Sequence, residues 1–338
     1  MKITIHDVAE KAGVSIATVS RVMNNNYPVK EETRKKIEDA IEELGYVPNE
    51  IARSLILKST SSVGIIIPGI TNLFFPTIVE EINRELVDNG FTMSLYITEG
   101  DPEMEKIVID SIVSRNMDGI IAIDPSLENL ENGYFSSLCK TTPTIIINAD
   151  TGSHNCNFIS YDEKVGTREA FQHLLNLGHR KISFLRGDRS LSYDLKEDFY
   201  RQLIRENGLK YEKVIIVGRG NSQEVVEKTS IIYGKHLDFD ERETAVFACN
   251  DLMAVGVINA CNKANIKVPE DMSVIGFDNT LLSSITHPKI TTVDLNMKEI
   301  GKTSAMELIR MIKEKRIANK KILYDTKLVI RESCSKRK

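Results

Sequence analysis

The sequence predicts an all-α helix-turn-helix head with a hinge helix, followed by an α/β core of two doubly wound lobes. Three observations carry that prediction. Apolar residues recur at helical spacing three times within residues 1–45, with Gly13 and Gly45 as stops. From Val63 onward, short β-branched runs alternate with longer helical stretches, the pattern of a parallel sheet. The alternation restarts after Asp162, which implies two such units.

In the head, Ile5, Val8, Ala9 and Ala12 fall on one helix face. Thr4 with Asp7 resembles a capping box, with Asp in place of Glu. Gly13 breaks this helix, and Ser15 is suited to cap the next. In that second helix Val19, Val22 and Met23 form the inward face, leaving Ile16, Ala17, Ser20 and Arg21 outward. A third helix carries Ile37, Ala40, Ile41 and Leu44, and Gly45 ends it. Two short helices joined by a tight turn and braced by a third form the helix-turn-helix layout, whose second helix fits the major groove of DNA. A small bundle that binds protein is the alternative for an arbitrary three-helix segment; the order and spacing here favour DNA. Residues 1–58 carry nine Lys/Arg and nine Asp/Glu, so the head is formally neutral. DNA binding then requires charge segregated by face, because phosphate neutralisation supplies much of the affinity.

Pro48 ends the preceding element, and Asn49 can cap a short helix over residues 50–56. So short a helix is unstable alone and needs a surface to form against. The bland alternative is that Leu55-Ile56-Leu57 is an apolar linker packed on the core.

The core reads as strand Val63–Ile67, helix Pro76–Asn89, strand Thr92–Ile97, helix Pro102–Arg115 and strands Gly119–Ile123 and Thr144–Ile147. After Asp162 come a helix to Leu177, strand Ile182–Leu185, a helix around Asp198–Asn207 and strand Val214–Val217. Strand Ala245–Ala248, helix Asp251–Ala264 and strand Ser273–Phe277 continue it.

Composition narrows the function. No apolar run approaches the 18 or so residues of a membrane span, and no secretory h-region follows Met1, so a cytoplasmic location is expected. The five cysteines form no CxxC pair and are odd in number, so buried reduced thiols are expected rather than disulfides or zinc. The six histidines form no HxxxH cluster, and neither metal nor cofactor is expected. A GxSxG elbow, a P-loop and a dinucleotide fingerprint are all missing, which argues against an enzyme. A solute-binding protein would explain the core but not the first 58 residues.

The segment Asp7-Val8-Ala9-Glu10-Lys11-Ala12-Gly13-Val14-Ser15, followed by Thr18-Val19-Ser20-Arg21-Val22, resembles the N-terminus of the LacI family, the lactose and galactose repressors. Gly45-Tyr46-Val47-Pro48-Asn49 with Ala52-Arg53-Ser54-Leu55 resembles that family's hinge. Leu177-Gly178-His179-Arg180-Lys181-Ile182, Cys249-Asn250-Asp251-Leu252-Met253-Ala254 and Val274-Ile275-Gly276-Phe277-Asp278-Asn279 extend the resemblance along essentially the whole chain. It implies a homodimeric repressor that binds a pseudo-palindromic DNA operator, with a periplasmic-binding-protein-like core. A small sugar or sugar phosphate would bind between the lobes. In some members a phosphorylated carrier protein acts as corepressor instead. No C-terminal leucine heptad follows Ser333, so a dimer rather than a tetramer is expected. A leucine at the position of Leu55 is implied to wedge into the minor groove; the bulky Ile56 and Leu57 that follow depart from the family's small residues.

The expected boundaries are head 1–46, hinge and linker 47–59 and core 60–338. The first lobe is expected at 60–159 and 290–322, the second at 160–289 and 323–332, with chain crossings near 160, 289 and 322. The residues expected at DNA are Thr4, Ile5 and His6, then Ser15, Ile16, Ala17, Thr18, Ser20, Arg21 and Asn24, and Thr33. Asn49, Ala52, Arg53 and Leu55 of the hinge complete that set. Open α/β sheets bind ligands at the C-terminal ends of their strands. The expected effector residues are therefore Asn72, Phe74, Phe75, Asn148, Asp150, Tyr161, Asn250 and Asp278, with Arg189 and Tyr193. Rings can stack on a sugar while amides and carboxylates bond its hydroxyls. Asp162 and Asp251 are expected as helix N-caps. The family often places an effector-contacting arginine before the second lobe's second helix; Leu191–Asp198 holds none, and Arg189, Tyr193 and Lys196 are the nearby candidates.

Overall fold

The computed structural model describes residues 3–24, 27–47, 59–148, 156–188, 190–237, 242–316 and 319–337. The chain divides into two compact units, residues 1–60 and 61–338. In the first, α1 (Ile5–Ala12), α2 (Ile16–Asn24) and α3 (Glu31–Leu44) pack around Val8, Val19, Val22, Ile37 and Tyr46. Gly13 and Gly45 end their helices at φ 67° and 60°, a left-handed conformation that glycine adopts without strain. The Asp7 carboxylate accepts from the Thr4 amide and hydroxyl at 2.7 and 2.8 Å, which holds its pKa below the ordinary value.

The second unit contains two sheets. The first lobe holds β1 (Ser62–Ile67), α4 (Phe74–Asp88), β2 (Thr92–Ile97), α5 (Pro102–Ser114) and β3 (Gly119–Ile123). It continues through α6 (Leu127–Glu131), α7 (Tyr134–Leu138), β4 (Thr144–Ile147) and β5 (Asn157–Tyr161). The second lobe holds α8 (Glu163–Asn176), β6 (Ile182–Arg186), α9 (Leu191–Glu206), β7 (Lys213–Ile216) and α10 (Glu224–His236). After these come β8 (Ala245–Ala248), α11 (Asp251–Lys263), β9 (Ser273–Asp278), α12 (Leu281–Ile285) and β10 (Thr291–Asp294). The chain then returns to the first lobe as α13 (Met297–Glu314) and β11 (Lys321–Tyr324), and ends in the second with β12 (Lys327–Val329). The sheet orders are β11-β5-β4-β3-β1-β2 and β12-β10-β9-β8-β6-β7, parallel throughout except for β12 against β10. The central strands β1, β3, β4, β8 and β9 are mostly apolar buried runs because helices cover both faces, while the edge strands β2, β7, β11 and β12 are more exposed.

Several expectations need correction. The crossing placed near 289 lies beyond Asp294, because the buried run Thr291–Asp294 pairs in parallel with β9 and belongs to the second sheet. The last crossing falls between Tyr324 and Lys327. Helix α9 begins at Leu191 rather than near Asp198, because Ser190 caps it by accepting from the Tyr193 amide at 3.2 Å. Helices α10 and α13 were not anticipated. Nor was the disulfide joining Cys139 to Cys156: packing of α7 against the start of β5 brings their Cα atoms to 5.6 Å, within disulfide reach. Cys249, Cys261 and Cys334 are free. Among the described residues no helix is long and apolar enough to cross a membrane.

Helix α13 buries Ile300, Ala305, Leu308 and Ile309, and it approaches α4 at Gly301. A Cβ at Gly301 would lie 2.7 Å from the Ile78 carbonyl oxygen, a backbone atom that cannot rotate aside. Replacing a helical glycine gains up to about 1 kcal/mol of intrinsic propensity. Overpacking costs about 1–3 kcal/mol, and a branched side chain falls at the upper end. Gly301→Val is therefore expected to destabilise the core by about 2 kcal/mol. Thermal or urea unfolding of the variant checks this, and an unchanged midpoint contradicts the helix contact.

Candidate functional site

Helix α2 presents the first candidate surface. Ser15 Oγ accepts from the Thr18 amide at 3.2 Å and bonds the Thr18 hydroxyl at 2.8 Å, which fixes the helix start. Val19 and Val22 turn into the head, so Ile16, Ala17 and Arg21 are exposed, with Thr18 and Ser20 half-buried beside them. Thr4 and His6 are exposed at the start of α1, whereas Ile5 and Thr33 are half-buried. The sequence of α2 contains no acid and one base, Arg21. The acids concentrate on α3, where Glu32 pairs with Lys36 at 2.8 Å and Glu43 with Lys11 at 2.6 Å. The acids of the head thus lie away from α2. Tyr27, which the sequence reading passed over, lies 5.5 Å by ring centroid from the Arg21 guanidinium and is largely exposed. The side chain of Asn24 and the hinge residues Asn49, Ala52, Arg53 and Leu55 lie outside the described residues.

The second candidate lies between the lobes. Asn72, Phe74 and Phe75 follow β1, Asp124 follows β3, Asn148 follows β4, and Tyr161 ends β5. From the other side come Ser190, Ser192, Tyr193 and Lys196 of α9, Asn221 of the loop after β7, Cys249 and Asn250 after β8, and Asp278 at the end of β9. All of these line one cavity. All eight of the expected effector residues that the structure describes, Tyr193 among them, thus line the cavity. Asp150 and Arg189 lie outside the described residues. Sequence reasoning missed Asp124, Ser190, Ser192, Cys249 and Asn221. Asp124 carried the same signal as the others, a polar residue just after a buried strand.

Asp124, Asn148 and Asp278 have φ of 51°, 62° and 106°. A non-glycine residue at such an angle is uncommon, and the cost, about 1–3 kcal/mol for the more strained cases, is met only where surrounding structure enforces it. Three at one cavity mark where the strand ends are bent to aim side chains inward.

The polar groups are linked across the lobes. Asn221 Oδ1 accepts from the Tyr193 hydroxyl at 2.9 Å and from Asn72 Nδ2 at 3.4 Å, while its Nδ2 donates to Asp124 at 3.4 Å. Asn250 caps α11 by accepting from the Met253 amide at 2.9 Å and donates to the Gly220 carbonyl at 2.9 Å. This reverses the expectation at 250 and 251. Asp251 sits one residue inside the helix and accepts from the Thr280 amide and hydroxyl and the Thr292 hydroxyl at 2.6–2.8 Å. Asp162 does cap α8, accepting from the Lys164 amide at 2.9 Å. Phe74 and Phe75 are buried and stack edge-on at 5.1 Å, so they serve core and cavity together.

Lys196 is 2 % exposed, with Nζ 3.8 Å from the Phe277 ring centroid and 3.5 Å from the Cys249 carbonyl oxygen. Burial pushes the Asp124 carboxyl up to about 6 and that of Glu163 to about 7, and lifts Asp278 well above its ordinary value. The Lys196 ammonium opposes each of these shifts. The cavity encloses about 20 Å³, room for a water molecule but not for a ligand, since ligand pockets span roughly 300–1,000 Å³. A small molecule can enter only if the lobes part.

Comparison with known proteins places the whole chain in one family. Residues 4–49 match the bacterial regulatory proteins of the lacI family, and residues 171–334 match the periplasmic binding protein-like domain. The HTH-type transcriptional regulator DegA of Bacillus subtilis is 34% identical over 337 residues, 99% of each chain. Catabolite control protein A of Priestia megaterium is 32% identical over 98% of this chain and 99% of its own. The crystal structure of the Lac repressor dimer bound to operator and the anti-inducer ONPF superposes with a TM-score of 0.87 at 26% identity, covering 99% of this chain and 100% of that one. With a helix-turn-helix head and a two-lobed, periplasmic-binding-protein-like core, this chain is a DNA-binding transcriptional regulator belonging to the LacI family.

Proposed function

We propose that the protein represses transcription as a homodimer on a pseudo-palindromic operator, and that a small polyhydroxylated effector between its lobes modulates DNA affinity. The observation that carries the DNA half is the α2 face: Ile16, Ala17 and Arg21 exposed, acids excluded and the helix start capped. An arginine here suits a guanine edge, and the two apolar residues suit thymine methyls. The dimer is supported by edge strand β2 and helix α5, whose Leu95, Ile97, Met104 and Ile107 are exposed apolar side chains of the kind a second copy covers. The Lac repressor complex, a dimer on operator, shows the arrangement in a relative.

The effector half rests on the cavity and its strained strand ends. Ligand can change operator affinity only by favouring one lobe arrangement over another. Coupling must be reciprocal, so operator would change ligand affinity by the same factor. A second reading, with a phosphorylated carrier protein as corepressor, is supported by two facts. The 32% identical relative is a catabolite control protein, and the cavity here is filled by the protein's own side chains.

Arg21→Ala is expected to weaken operator binding by about 1–3 kcal/mol and to relax preference at one base pair of each half-site. Gel-shift titration against operator variants reads both, and an unchanged sequence preference removes Arg21 from base readout. In the hinge, Leu55→Ala is expected to reduce DNA bending, because an inserted apolar wedge offsets part of the unstacking cost. Fluorescence transfer across the central step checks this; full bending by the variant dimer removes the wedge role. Asp278→Ala is expected to abolish the response to an effector, since each charge-assisted hydrogen bond contributes about 1.5–3 kcal/mol. An effector that still shifts the variant on operator with wild-type potency contradicts the assignment.

A further inference from the structure

The cavity between the lobes is lined by more acidic side chains than basic ones. Asp124 closes β3 of the first lobe and Asp278 closes β9 of the second, so one carboxyl group faces the cavity from each side. Among the described lining residues Lys196 supplies the ammonium, and it is already engaged with the Phe277 ring and the Cys249 carbonyl. Behind the lining lies Glu163, 6 % exposed, whose Oε1 has no hydrogen-bond partner. Asp124, Glu163 and Asp278 all sit above their ordinary pKa because burial outweighs what Lys196 offers. Asp251, by contrast, has its oxygens occupied by Thr280 and Thr292. The donor that meets Asp124 is the neutral amide of Asn221, at 3.4 Å, a long bond that spans the two lobes.

We propose that the effector carries a protonated amine on a polyhydroxylated frame, as an amino sugar or aminocyclitol does, and that its ammonium takes the place of the Asn221 amide at Asp124 and pairs with Asp278 across the cavity. The proposal rests on the reading of this cavity as the effector site and narrows it. An ammonium forms charge-assisted bonds to carboxylates, about twice as strong as neutral ones, and it supplies the charge this cavity lacks. Its hydroxyls meet Asn148 and Ser192, and the faces of Phe74 and Tyr193 offer apolar surface for the ring carbons. A phosphorylated ligand would set close to two negative charges against carboxylates on both walls, in a place where burial magnifies like-charge repulsion.

The test is calorimetric titration of the full-length protein with three matched sets of probes. The first holds glucosamine, galactosamine and an inosamine; the second their parent sugars and inositol; the third the corresponding phosphates. An amine is expected to bind at least about tenfold more tightly than its hydroxyl parent, the worth of one strong hydrogen bond. Its N-acetyl derivative, which keeps the ring and loses the charge, is expected to lose that advantage. Asp124→Asn is expected to shrink the preference for amine over parent to about twofold or less. Should that variant fail to fold, Asp278→Asn and the N-acetyl comparison on the wild-type protein carry the same test. A parent sugar or a phosphate that outbinds every amine overturns the amine assignment and leaves the cavity an effector site. No binding by any of the three sets overturns both, and the corepressor reading then stands in their place.

Discussion

The whole core depends on a constraint of parallel strand pairing. A right-handed helical crossover returns each strand to the same end of its sheet, so all parallel strands finish along one edge. In this chain β1, β3, β4 and β5 finish on one side of the cavity, and β8 and β9 finish on the other. The residue after each strand must leave the sheet at once. At Asp124, Asn148 and Asp278 it does so with a positive φ. Asn and Asp tolerate that conformation better than other side-chain-bearing residues. The same geometry that ends a strand therefore delivers short polar side chains to a shared crevice, and the site is a by-product of closing two sheets against each other.

Closing them has an electrostatic consequence. Carboxyls that would be half-solvated in an open cleft become buried beside Lys196 when the lobes meet, and their pKa values rise. Bridging contacts must offset that cost. Here these include the Asn221 bonds to Asn72 and Asp124 and the bond from the Gln223 amide to Thr71 Oγ1 at 3.1 Å. Two of these are at the long end of hydrogen-bond range, where the interaction is weak. A ligand can rebalance an arrangement in which a few such bonds stand against buried carboxyls. One that satisfies the carboxyls and bridges the lobes favours closure, and one that forces the walls apart opposes it. The cavity is thus suited to a two-state element, since differential affinity for the two arrangements is all a ligand can contribute.

Much of this was legible in the sequence, for reasons that explain the rest. The three head helices were readable because each buries one face, and 3.6-residue periodicity records that burial directly. The β strands of the core were readable as apolar runs, and the residues just after them pointed to Asn72, Asn148, Asn250 and Asp278. What local pattern cannot record is a choice settled by tertiary neighbours. Asn250 and Asp251 are both good capping residues, and only the presence of Thr280 and Thr292 draws Asp251 away from the helix end. Asn221 lies in a loop with glycines at 218 and 220, and nothing in that loop announces a reach to the opposite lobe. The Cys139–Cys156 pair spans 17 residues with no motif, and it arises because β5 lies beside β4 under α7. The early start of α9 was hidden by its polar first turn, and with it the burial of Lys196.

Lys196 also shows how a departure from a family pattern should be read. The sequence lacks an arginine at Leu191–Asp198, where the family resemblance leads one to expect it. The structure places a cation in that stretch all the same, on the buried face of α9, against Phe277 and the Cys249 carbonyl. A lysine is not an arginine in function. It offers a compact charge without the planar fork that holds a carboxylate or phosphate through two parallel bonds. A site that keeps the charge but loses the fork, while surrounding it with carboxyls from both lobes, has changed what it can recognise. Such a site would favour donor-rich and positively charged ligands over anions. The missing arginine therefore bears on which ligand the proposed site would take, and the lining that carries the proposal stays the same.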